Sequence, residues 1–167
     1  MRRFVVFTVL SIALAAPAAA SAVLLSGSDG DGALSVKNGL GKIVLLPFNG
    51  SAVGRVGHGK LIINDPIDSD GAGFDVWGCD TKTHVGDTAV VCAGDDIRFR
   101  AVGGKYKIVA KGAGIFLSAV GRGTVTLDGR GDNAAISSDG VFSINDSPYR
   151  SLPDAEKQFQ LAAPAGA

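Results

Sequence analysis

Beyond the first thirty or so residues, apolar side chains fall in short runs, often alternating with polar ones, and most runs end at Gly, Asn or Asp. The pattern predicts strands at 33–37, 42–48, 60–64, 74–79, 88–92, 97–102, 105–111, 115–120, 124–128, 134–137 and 141–145. Asn38-Gly39, Asn49-Gly50, Gly103-Gly104, Gly129 and Asp139-Gly140 are among the separators. Short strands at intervals of about 8–12 residues predict an all-β domain, an antiparallel sandwich or barrel. One helical turn or two is expected around Asp154 to Phe159, after Pro153, and an Ala/Pro-rich tail follows at 162–167.

One hairpin can be written residue by residue. Ile97–Val102 and Lys105–Ala110 flank Gly103-Gly104, a two-residue turn signal, so Phe99 should face Ile108 and Arg100 should face Lys107. Ile97, Phe99, Ala101, Tyr106, Ile108 and Ala110 then share one apolar face. Arg98, Arg100, Lys105, Lys107 and Lys111 share the other.

The chain also echoes itself. Lys42-Ile43-Val44 with Ser51–Arg55 is matched by Lys107-Ile108-Val109 with Ser118–Arg122, which suggests two similar β units around one core. A shorter Gly-x-Gly pattern at Gly39, Gly57 and Gly121 gives the alternative, a β-solenoid.

Composition changes this picture in three ways. Arg2-Arg3, the apolar run Phe4–Ala15 and the small residues up to Ala22 read as a secretory signal peptide over 1–22. Residues 23–32 then form a flexible leader, 33–153 a single β domain and 154–167 a short C-terminal tail. Second, 24 glycines and 15 Asp against a single Glu, Glu156, mean many turns and few helices. Third, 16 basic and 16 acidic residues cancel, which disfavours a nucleic-acid partner. Cys79 and Cys92, the only cysteines, are expected to form one disulfide in an oxidising compartment.

Gly121-Arg122-Gly123-Thr124-Val125-Thr126-Leu127-Asp128-Gly129, with Ser147–Pro153 further on, resembles a group of small secreted bacterial all-β proteins of unknown function. The resemblance implies an exported β domain and carries no catalytic residues.

Candidate chemistry is sparse. His58 and His84 are isolated in separate loops, and Ser51 lacks the elbow motif of serine hydrolases. Asp65, Asp68 and Asp70, ahead of Gly71, are the best candidate for calcium, though without the bidentate Glu of an EF-hand. Trp77, two residues before Cys79, is expected to pack against the disulfide, which leaves little aromatic surface for a sugar. The face carrying Arg98, Arg100, Lys105, Lys107 and Lys111 has the strongest functional character, because like charges opposed on a sheet carry a cost. These features point to an exported, non-enzymatic binding or structural module of the cell envelope or secreted milieu, touching an anionic polymer or lipid surface and needing no cofactor. The alternative is a secreted hydrolase or calcium-dependent domain built on the Asp-rich loops.

Overall fold

The computed structural model describes residues 30–67, 71–129 and 139–162. Its strands are β1 (Gly32–Asn64), β2 (Gly73–Trp77), β3 (Thr81–Val85), β4 (Ala89–Gly129), β5 (Val141–Ile144), β6 (Arg150–Ser151) and β7 (Lys157–Leu161). Every ladder among the described residues is antiparallel, and all belong to one sheet that does not close into a barrel. No described residue is helical.

The two long strands pair with each other twice. Val53 faces Arg100 on one side and Ser118 on the other, and Ile63 likewise faces Val90 and Ile108. In both cases the two β4 partners lie 18 residues apart. The β1–β4 ribbon therefore coils back on itself, with 18 residues of each strand making one turn.

Glycine makes the coil flat. Gly32, Gly41, Gly50 and Gly59 in β1, and Gly94, Gly103, Gly112 and Gly121 in β4, recur at intervals of nine. The ladders align most of them into two seams, Gly94–Gly59–Gly112–Gly41–Gly129 and Gly104–Gly50–Gly121–Gly32. At these seams the backbones turn together and approach closely. A Cβ on Gly112 would stand 2.1 Å from the His58 carbonyl oxygen, and φ is +145° there and +148° at the facing Gly59. Only glycine accepts both conditions.

Bending at the seams produces two packed layers. The first layer runs β3, 89–94, 59–64, 104–112, 41–50, 121–129 and β7; the second runs β2, 95–102, 51–58, 113–121, 32–39, β5 and β6. Inward side chains of both layers join one core, including Leu45, Leu61, Ile63 and Val125 from the first and Ala52, Val56, Ile97 and Phe99 from the second. The all-β, sandwich-like class expected from the sequence is what forms.

Several finer expectations are corrected. No hairpin forms at Gly103-Gly104: Phe99 faces Gly54 and Val76, and Ile108 faces Leu45 and Ile63. Those glycines instead bend a continuous β4 from one layer to the other. The inside–outside alternation is nevertheless right, since Ile97, Phe99, Ala101, Tyr106, Ile108 and Ala110 are all buried. The repeated segments are not two units side by side but the two arms of one ribbon, with Val44 directly opposite Val109. Parallel solenoid coils do not occur among the described residues. Lys157–Leu161 is a strand on the β4 edge rather than a helical turn, anchored by the burial of Leu161. The expected strand at 134–137 lies outside the described residues.

Candidate functional site

Side chains directly opposite in an antiparallel ladder share a face, with Cβ atoms about 4.5–5.5 Å apart. Lys111 faces Lys60 on one side and Lys42 on the other. These three lysines thus form a row across the outer surface of the first layer, beside the glycine seam. Alternation along β4 adds Lys105 and Lys107 to the same surface, with Arg122 at its margin. The lysines are separated by a half-buried apolar row of Val44, Val109 and Ile62. The surface is therefore cationic with an aliphatic strip.

The charge is partly compensated at one end, where Asp128 faces Lys42 across the ladder. Lys42 Nζ donates to Glu156 Oε2 at 3.2 Å, and Arg122 Nε donates to Asp31 Oδ1 at 3.0 Å. Lys60, Lys105, Lys107 and Lys111 form no ion pair with a described residue.

The second layer also carries cations on its outer face, and three of them, Arg55, Arg98 and Arg100, stand beside an acid, while Lys37 stacks on the Tyr149 ring instead. Arg55 and Arg98 are cross-strand neighbours, and Asp96 bridges them: Arg98 Nη2 donates to Oδ2 at 2.8 Å while Arg55 Nε contacts Oδ1. The Arg98 hydrogen bond and the charges of Arg55 and Arg98 hold the Asp96 carboxyl below its ordinary value. Arg100 faces Asp75 across the β2 ladder. The five predicted cations are therefore not one face. Arg98 and Arg100 lie on the second layer; Lys105, Lys107 and Lys111 lie on the first, where Lys42 and Lys60 join them. The Gly103 bend separates the groups, and Arg100 faces Val53 and Asp75 rather than Lys107.

Clefts flank these faces. An apolar one of about 390 Å³ lies beside Lys105 and Lys107, between the Leu46–Asn49 stretch and Pro66. A polar one of about 480 Å³ lies between β2 and β3, lined by Asp75, Trp77, Lys82, His84 and Asp87 among others. Trp77 is half-exposed here rather than buried against the disulfide. Lys82 Nζ donates to the Val76 carbonyl at 2.9 Å, tying β3 to β2 across the cleft. His58, at the edge of the first seam, pairs through Nδ1 with Asp95 Oδ1 in open solvent.

Cys79 and Cys92 are bonded, with Cα atoms 5.4 Å apart, so the β2–β3 connection is stapled to β4. Asp65 is buried and its Oδ1 accepts the Ile67 N–H at 3.2 Å; Asp68 and Asp70 lie outside the described residues. Among the described residues no group of three His, Cys, Asp or Glu side chains is arranged to hold a metal ion. No described helix is long and apolar enough to cross a membrane.

Sequence reasoning missed Lys42 and Lys60 because they sit far from β4 in the chain. The nine-residue glycine spacing was the available signal, since it fixes which legs become neighbours. Comparison with known proteins finds no family model, no curated protein and no solved structure that matches the chain.

Proposed function

We propose that the protein is an exported binding module, non-enzymatic, whose first-layer lysine surface docks on an anionic component of the cell envelope, such as acidic lipid head groups or a wall polymer. The observation that carries this reading is the placement of Lys111 between Lys42 and Lys60. Lys60 and Lys111, opposed and without an ion pair among the described residues, repel one another, Lys42 (paired with Glu156) continues the row, and a polyanion converts that repulsion into attraction. The disulfide, and the Arg2-Arg3 start and apolar run Phe4–Ala15 that read as a signal peptide, support the export half of the reading.

The test is sedimentation of the protein with vesicles of anionic or zwitterionic lipid, at low and at high salt. Binding to the anionic vesicles alone, weakening as salt rises, is expected. Equal binding to both vesicle types, or binding indifferent to salt, overturns the reading.

A second reading is favoured by the polar cleft, which brings His84 to the same lining as Asp75 and Asp87 beside an exposed Trp77. This is the arrangement a hydrolase or sugar-binding site would use, although no hydrogen bond joins His84 to either carboxylate among the described contacts. Perturbation of the Trp77 indole resonance by a panel of soluble oligosaccharides tests it; an unmoved resonance across the panel removes it.

A further inference from the structure

The apolar cleft beside the lysine surface has a composition that the docking of head groups alone does not explain. Its exposed apolar lining is Leu46, Pro47 and Pro66, with the buried Phe48 and Tyr106 beneath them. Phe48 and Tyr106 are buried and fixed: Phe48 lies in the core, and the Tyr106 hydroxyl donates towards the Gly73 and Val102 carbonyls, each at 2.9 Å. Leu46, by contrast, leaves 45% of its surface in water. An aliphatic side chain this open, on the lip of a cleft of about 390 Å³, is surface left available for burial.

Three cations border this cleft, Lys105, Lys107 and Arg122. Arg122 is held by Asp31, which fixes its direction and leaves the two lysines as the mobile charges. A neutral apolar ligand would gain nothing from such a rim, and a small anion would gain nothing from the wall. Charge and shape together select a molecule with both parts.

We infer that the cleft binds a single-chain anionic amphiphile, a fatty-acid anion, with its alkyl chain along Leu46, Pro47 and Pro66 and its head group between Lys105 and Lys107. The inference rests on the reading of this surface as an anion-docking face and deepens it by naming a ligand for one end.

The test uses the full protein with sodium dodecanoate below its micelle concentration, followed by calorimetry and by amide chemical shifts. Saturable binding is expected, with shifts centred on Leu46–Asn49, Lys105–Lys107 and Arg122–Gly123. Affinity should rise from octanoate to dodecanoate by about twofold or more per added methylene, short of the roughly fourfold that full burial would give. Dodecyltrimethylammonium, with the same chain and the opposite charge, should bind at least tenfold more weakly, as should dodecanoate to Leu46→Ser. Affinity independent of chain length, equal binding of the cationic analogue, or shifts centred elsewhere overturns the inference. The two readings fail separately. Dodecanoate that does not bind a protein still sedimenting with anionic vesicles removes the cleft ligand alone. Dodecanoate binding without vesicle binding removes the docking surface and keeps the cleft.

Discussion

Lys111 lies directly opposite Lys60 in the β1–β4 ladder, and neither forms an ion pair with a described residue. On the second layer the equivalent pair, Arg55 and Arg98, shares Asp96. The molecule thus neutralises one pair of opposed cations and leaves the other uncompensated.

An uncompensated pair should weaken the fold slightly. Replacing Lys111 by Thr, a good strand former without charge, is expected to raise stability by about 0.5 kcal/mol at low ionic strength. The gain should shrink at high salt, where the repulsion is already screened. Urea unfolding at two salt concentrations measures this. A loss of stability on substitution would show that the lysine is needed by the fold itself.

The seams make a harsher demand. Gly112→Ala places a methyl group against the His58 carbonyl at a φ of +145°, and should cost about 3 kcal/mol or prevent folding. Gly73→Ala is the control, because nothing stands within 4 Å of its Cβ position. Its cost should stay within about 1 kcal/mol. Comparable losses at the two sites would contradict the close crossing of the strands.

Cys79 and Cys92 close a loop across a sequence separation of 13. Reduction, or the double change to Ser, is expected to lower stability by about 3 kcal/mol through the entropy regained by the unfolded chain. Thermal unfolding with and without a reductant reads this directly.

Asp96 gives a pH prediction. Its folded carboxyl titrates below its ordinary value because Arg98 donates to the charged form and Arg55 adds attraction. A depressed acid contributes stability that is complete above its unfolded pKa and fades as pH falls through the folded one. Stability should therefore decline from about pH 4 downward, and Arg98→Gln should move the Asp96 carbon resonance titration back up. A wild-type carboxyl titrating at or above its ordinary value would contradict the bridge.

The inside and outside of this chain were legible in its sequence; the pairing was not. Alternation alone places Phe99 and Ile108 in the core and Arg100 and Lys107 in water, because burial is decided residue by residue along a strand. Which strand lies beside which is decided by contacts between distant segments. A Gly-Gly step reads the same whether it closes a hairpin or bends a continuing strand, so local turn chemistry at Gly103-Gly104 pointed to the wrong partner. Lys157–Leu161 failed for a related reason: a polar segment with weak intrinsic preference became a strand because the β4 edge offered it hydrogen bonds. The site inherited the same limit. Lys105, Lys107 and Lys111 were visible as one stripe, whereas Lys42 and Lys60 joined them only through the coil.

On the proposed function, anions are met by the first-layer lysines and not by the second-layer arginines. Binding to anionic vesicles should be compared for wild type, Lys60→Gln/Lys111→Gln and Arg98→Gln/Arg100→Gln at one low salt concentration. At about 1 kcal/mol per cation near an acidic surface, the lysine pair should lose about thirtyfold in affinity. The arginine pair should stay within about twofold of wild type, since its charges already face Asp75 and Asp96. Equal losses in both variants, or a larger loss in the arginine pair, would contradict the account.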